Sequence, residues 1–146
     1  MDKKKLVEQI RESLAEELKT IEASARAALE AATHEESKAE DAHDTRGVEA
    51  SYLAKAQALR AEELQRLITV FKFMPVREFK KDEDPKKIVI CPGVLVQLDC
   101  NGTKAYYFVV PQGGGLIMRM GEHPVQVITP NSPMGEALLG HKMGDQ

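Results

Sequence analysis

Five carboxylates face one ammonium within ten residues: Glu35, Glu36, Glu40, Asp41 and Asp44 against Lys38. Carboxylate oxygen is the donor that Mg²⁺ takes, usually one or two groups completed by water or phosphate. The cluster reads in two ways. As the start of a helix, its acids favour the helix dipole and stay solvated. As a presented tip, they offer ligands to a divalent cation, or charge to a basic site on another molecule.

The other reactive side chains assemble less. His34 and His43 flank the acids and read as exposed residues beside a turn rather than as ligands. Gly113-Gly114-Gly115 is followed by no helix and no P-loop lysine, so it reads as an inter-strand turn rather than a phosphate cradle. Ser13, Ser24, Ser37, Ser51 and Ser132 lie in no nucleophile-elbow pattern. Cys91, just before Pro92, reads as a packed thiol, and with Cys100 as its only companion there is neither a disulfide framework nor a zinc quartet. No self-contained active site forms, so the chain is expected to be no enzyme and to hold no cofactor of its own.

The elements that would carry the acids are helices. Residues 2–73 hold no proline and only Gly47, whereas all seven prolines and nine of the ten glycines lie at or beyond Pro75. Helical material therefore comes first and strands with turns follow, an α+β order rather than βαβ alternation. Val7, Ile10, Leu14, Leu18, Ile21, Ala25, Ala28 and Ala32 recur at helical steps, with Asp2 as N-cap. Over residues 3–34 that is a rod of roughly 48 Å. A second stripe is read through Leu53, Ala56, Leu59, Leu64, Leu67, Ile68 and Phe71. Ser37-Lys38-Ala39-Glu40 fits a capping box, which places the turn at His34–Ser37 and the second helix from about Lys38 to Phe73. So short a turn makes the two helices an antiparallel hairpin, a coiled coil with the acids at its tip. Gly47 is its weak point.

Residues 74–87 read as a linker of mixed charge. Beyond it, Val94–Leu98 and Ala105–Val110 flank Asp99-Cys100-Asn101-Gly102, where Asn-Gly signals a hairpin turn. Leu116–Arg119 and Val125–Thr129 read as further strands. Ser132-Pro133 is an N-cap followed by proline at the first helical position, opening a short helix, Met134–Leu139, that ends at Gly140. The expected organisation is a helical hairpin over 1–73, a linker over 74–87, and over 88–146 a small, mostly antiparallel β domain with one short helix.

Composition excludes several classes. A net charge of −3 makes a poor general nucleic-acid binder. No apolar run approaches the roughly 20 residues of a membrane span, and Met1-Asp2-Lys3-Lys4-Lys5 is no signal peptide. A soluble, cytoplasmic protein is expected.

A long hairpin with an acidic tip, followed by a small β domain, resembles the bacterial Gre transcription elongation factors. The most specific match runs Val127-Ile128-Thr129-Pro130-Asn131-Ser132-Pro133-Met134-Gly135-Glu136-Ala137-Leu138-Leu139-Gly140, with Gly144-Asp145 where the family carries Gly-Asp. The resemblance implies an FKBP-like β domain that docks on RNA polymerase at its secondary channel, here through Asn131, Ser132 and Pro133. It implies that the hairpin reaches the polymerase's catalytic site, meeting nascent RNA and DNA only through that complex and no membrane. The tip carboxylates Glu36, Glu40 and Asp41 would then act in trans to stimulate cleavage of backtracked transcript. Glu40 and Asp41 would be ligands of a Mg²⁺ shared with the polymerase and not bound alone. In the family, acids stand at the N-cap and third position of the second helix. Glu40 matches the third position, but Ser37 stands at the N-cap. Gre domains also continue after Gly-Asp into two further strands, beyond the point where this chain ends. Two other readings stand beside this one: a secondary-channel regulator that does not cleave, and a coiled-coil adaptor unrelated to transcription.

Overall fold

The computed structural model describes residues 2–33 and 46–146. Helix α1 (Lys3–Thr33) and helix α2 (Arg46–Phe73) precede a 3₁₀ turn at Pro85–Lys87. Strands β1 (Leu95–Cys100), β2 (Thr103–Val109), β3 (Ile117–Met120) and β4 (His123–Ile128) follow, and then the short helix α3 (Pro133–Leu138). The expected turn at His34–Ser37 and the first residues of the expected second helix lie outside the described residues. Gly47 lies within α2. The chain divides into two compact units, Met1–Ile10 with Val70–Gln146, and Arg11–Thr69.

In the second unit the apolar pattern of α1 reads as expected. Leu14 and Ala28 are buried, and Leu18, Ile21 and Ala25 are half-buried between them. The face of α2 follows the expected stripe from Leu64 onward, with Leu64 and Phe71 buried and Leu67 and Ile68 half-buried, and departs from it before that point. Leu53 and Leu59 are more than half exposed, whereas Ala54 and Leu64 are buried, with Gln57 and Ala61 half-buried between them. Positions 54, 57, 61 and 64 alternate three- and four-residue steps, the spacing that keeps one face turned inward. Leu53, Ala56 and Leu59 advance by three at each step and rotate off that face. Glu17 of α1 and Arg60 of α2 form an ion pair at 2.8 Å, and Arg60 also reaches Glu63 at 3.1 Å.

The four strands form one mixed sheet in the order β1-β2-β4-β3. β1 and β2 are joined by a two-residue turn, with Cys100 opposite Thr103. Asn101 at φ 53° and Gly102 at φ 84° supply the two positive φ values of such a turn, and the Asp99 carboxylate accepts from Gly102 N–H at 2.8 Å. The sheet is mostly antiparallel, as expected, in the pairs β1–β2 and β3–β4, but its central pair, β2 with β4, is parallel. The chain leaves β2, passes over the position next to it to form β3, then turns back at Gly121-Glu122 so that β4 fills the gap. β2 and β4 form the centre. Phe108, Val109, Val125 and Val127 are buried almost completely, and the run Tyr106–Val110 is apolar on both faces, as a central strand requires. One face carries Val94, Val96, Tyr107, Val109, Ile128 and Leu138 as a packed cluster, which joins α3 to the sheet.

The first turn of α1 is fastened to the segment expected as a linker. Asp2 caps the helix, accepting from Lys4 N–H at 3.0 Å and Lys5 N–H at 3.3 Å. The Lys3 ammonium donates to the Arg77 carbonyl and lies 4.5 Å from the centre of the Phe79 ring. Arg77 N–H in turn donates to the Gly93 carbonyl at 3.3 Å. Lys4 pairs with Glu78 at 2.8 Å. That hydrogen bond, reinforced by the opposite charge, holds the Glu78 carboxyl below its ordinary value and the Lys4 ammonium above its own. Burial lowers Lys3.

The two partners of the exposed pair give opposite edges to its pH window. Glu78, depressed on folding, contributes fully above its unfolded value and loses that contribution as pH falls through the folded one. Lys4, raised on folding, contributes fully below its unfolded value and loses that contribution as pH rises through the folded one. Glu78→Gln is therefore expected to lower the melting temperature slightly near neutral pH. The gap to wild type should close in acid, once pH has fallen through the lowered folded-state value and the carboxylate is protonated in both states. A gap of unchanged size in acid would contradict this assignment.

Candidate functional site: the capped turn of the β domain and the cleft beside α3

Beyond β4, Thr129-Pro130-Asn131-Ser132 reverses the chain into α3. Ser132 sits at φ −72° and ψ 153°, the extended backbone of an N-cap, and its Oγ accepts from Gly135 N–H at 3.0 Å. The same hydroxyl donates to the Thr129 carbonyl at 2.7 Å, and Ser132 N–H donates to that carbonyl at 3.0 Å. Glu136 N–H closes the first turn on the Ser132 carbonyl at 2.8 Å. Pro133, at the first helical position, brings a preset φ and no N–H to satisfy. Every polar group of Ser132 is therefore engaged within the turn.

That geometry separates three residues that the sequence grouped together. Asn131 and Pro133 are exposed, while Ser132 is half-buried and spent on capping. Ser132 shapes the turn, and Asn131 and Pro133 are what it shows to solvent. Met134, more than a third exposed beside Pro133, extends the presented surface; its signal in the sequence was only its place next to the cap.

Gly135 fixes how closely α3 can approach the end of β4. A Cβ at this position would stand 1.9 Å from the Thr129 carbonyl oxygen and 2.9 Å from Ser132 Oγ. Only glycine admits the carbonyl that the cap itself uses.

Beside α3 a cleft of about 570 Å³ opens along β1. Its apolar floor comes from Ile88, Ile90, Val94, Val96 and Leu138, and Lys80, Lys81 and Lys142 stand on its rim. Its walls are pinned by short bonds between neighbouring segments. Ile90 N–H donates to the His141 carbonyl at 2.9 Å, and Gly140 N–H to the Ile90 carbonyl at 3.3 Å. The Asp145 carboxylate accepts from Lys142 N–H at 2.8 Å and lies 3.4 Å from His141 Nδ1. Cys91 is half-buried against the apolar cluster, in line with a packed thiol, and Cys100 is exposed.

The expected tip residues Glu36, Ser37, Glu40 and Asp41, with His34 and His43, lie outside the described residues. Among the described residues, no group of three or more His, Cys, Asp or Glu side chains gathers as a metal site would require. No described helix is long and apolar enough to cross a membrane. No protein-family model matches the chain, and no curated protein matches its sequence.

The cap predicts a graded response. Ser132→Ala should cost about 1 kcal/mol of stability. Gly135→Ala should cost about 3 kcal/mol, because its Cβ meets rigid backbone rather than a mobile side chain. Urea unfolding of the two variants tests the order. An alanine at position 135 that left stability unchanged would refute the close approach.

Proposed function

We propose that the chain is a Gre-like factor that binds RNA polymerase at its secondary channel and stimulates cleavage of backtracked transcripts. The observation that carries the reading is the Asn131-Ser132-Pro133 turn. The stretch with the most specific resemblance to Gre factors is also one whose cap and glycine leave it little freedom, and it presents Asn131 and Pro133 outward. A turn held by its own hydrogen bonds loses little entropy on docking.

In this reading α1 and α2 are the arms of an antiparallel hairpin, and the sheet is FKBP-like. The inward spacing of Ala54, Gln57, Ala61 and Leu64, the buried Ala28, and the Glu17–Arg60 ion pair all support the hairpin. The protein acts in the cytoplasm, in trans on the polymerase's own hydrolytic centre, and is not itself an enzyme. Glu40, with Glu36 or Asp41, would lend carboxylate oxygens to a Mg²⁺ that the polymerase also holds. Such an ion supplies charge neutralisation and an activated water.

A second reading is favoured by one residue. Ser37 stands where the family carries its first acid, and a hydroxyl brings no anionic charge. A factor lacking one of two carboxylates occupies the channel without stimulating cleavage.

One measurement tests the docking that both readings share, and a second separates them. Asn131→Ala with Pro133→Ala should weaken binding to core polymerase while the folded circular dichroism spectrum is kept; an unchanged affinity would remove the docking assignment. In backtracked complexes at saturating factor, Glu40→Ala should slow 3′-end cleavage about a hundredfold, the loss of one well-placed transition-state contact. Glu36→Ala and Asp41→Ala should each do less, and Ser37→Asp should raise the rate. If wild type does not cleave and Ser37→Asp gains nothing, the regulator reading holds instead.

A further inference from the structure

The turn between β1 and β2 holds a reactive pair of residues. The chain contains two asparagines, Asn101 and Asn131, and the first is followed by glycine. The backbone nitrogen after an asparagine is placed to attack the side-chain amide carbon, closing a five-membered succinimide ring. Glycine leaves that nitrogen unshielded, because it has no Cβ. Asn101 and Gly102 are both exposed, and a Cβ on Gly102 would meet nothing within 4 Å. Space for the ring is therefore present. Asn131 differs: Ser132 crowds the corresponding nitrogen, and its N–H donates to the Thr129 carbonyl at 3.0 Å.

Two features of the folded turn keep the reacting atoms apart. Asn101 at φ 53° and Gly102 at φ 84° define a type I′ turn, in which the first central residue has ψ of about +30°. Ring closure needs the Gly102 nitrogen and the Asn101 Cβ nearly eclipsed about the Cα–C bond, whereas this ψ sets them nearly opposite. The second feature is Asp99. Its carboxylate accepts from Gly102 N–H at 2.8 Å, so the proton that must leave before attack is held. Its negative charge also opposes an amide anion on that nitrogen. The register that closes the turn, Cys100 opposite Thr103, maintains both features.

We propose that Asn101-Gly102 is a site of spontaneous deamidation that the folded hairpin keeps dormant, with Asp99 as its guard. When the turn opens, the Gly102 nitrogen loses its proton to solvent and bonds to Asn101 Cγ, and the side-chain nitrogen takes up a proton and leaves as ammonia. Water then adds to one of the two ring carbonyls. Breaking the Cγ–N bond restores the ordinary backbone with aspartate at position 101. Breaking the other C–N bond gives isoaspartate, whose backbone runs through Cβ and Cγ. That backbone is longer by one methylene, so a two-residue turn no longer sets Cys100 opposite Thr103. Either product also brings a new carboxylate beside Asp99, so the reaction works against the hairpin that restrains it. The proposal is independent of the polymerase reading.

The test incubates the full chain at mildly alkaline pH and follows each asparagine by peptide mapping and mass spectrometry. Labelling with an isoaspartyl carboxyl methyltransferase tells the two products apart. Asn101 should deamidate faster in urea than in the folded protein, and Asn131 should lag behind it in urea. In the folded protein Asp99→Ala should speed the reaction roughly fivefold, the kinetic equivalent of one ordinary hydrogen bond. Asp99→Ser, which keeps a weaker acceptor, should fall between. In urea wild type and both variants should react alike, because the carboxylate acts only in the closed turn. If Asp99→Ala fails to fold, the comparison of folded with unfolded wild type still decides. The purified isoaspartyl form should melt below an Asn101→Asp variant, which has the same charge and the shorter backbone. Equal rates for folded wild type and folded Asp99→Ala would overturn the guard, as would a slower Asp99→Ala, which would make the carboxylate a base. The same gap between them in urea would also overturn it. Wild type reacting as fast folded as in urea, Asn131 outpacing Asn101 in urea, or equal melting of the isoaspartyl and aspartyl forms would overturn the proposal.

Discussion

Val125 and Val127 of β4 lie between β2 and β3 with essentially no exposure, and their parallel pairing with β2 sets much of the β domain. Because β4 takes the inner edge of β2, β3 is pushed to one margin of the sheet and β1 to the other. β4 then runs out at Thr129, level with the end of β2. Its last carbonyls are delivered to the place where α3 must begin. A simple antiparallel meander of the same strands would have put β3 in that central position and sent β4 elsewhere. The cap and the cleft both follow from this one placement.

At the end of β4 a single carbonyl has several tasks. Thr129 C=O receives the Ser132 hydroxyl and the Ser132 amide, and it occupies the space where a side chain at position 135 would stand. Serine, proline and glycine here are three parts of one local solution. Serine satisfies an orphan amide of the helix, proline removes another, and glycine lets the strand end and the helix approach. The residues left facing solvent, Asn131 and Pro133, are held by neighbours that have no freedom to spare.

Local signals were read well where a short stretch of chain is enough to decide the structure. Asp2 as a cap, the Asn101-Gly102 turn and the Ser132-Pro133 start of α3 each depend on a few neighbouring atoms, and each stands as expected. The inward face of α1 was also legible, because its large apolar residues fall on one helical stripe. The face of α2 was legible from Leu64 to Phe71, but not before it. Its leucines at 53 and 59 drew attention by size, while the inward positions before Leu64 are filled by the buried Ala54 and the half-buried Gln57 and Ala61. Small residues mark where two surfaces come close, and their weight shows only when the spacing is followed in preference to hydropathy. Likewise Gly121-Glu122, a tight turn with Gly121 at φ 63°, was legible in principle and was hidden by the stronger Asn-Gly and triple-glycine signals beside it.

By itself the sequence determined the division into helical and β segments, the caps, the first hairpin, and the acidic composition of residues 35–44. These are consequences of backbone sterics and short-range hydrogen bonding, which each residue type carries with it. Tertiary structure alone decided that β4 lies parallel to β2, that Ser132 is consumed while Asn131 and Pro133 are presented, and that an apolar cleft opens along β1. Those outcomes depend on which strand wins the central, fully buried position. That competition is between burying Val125 and Val127 or the residues of β3, and it is settled by packing across the whole sheet rather than by any local run of residues.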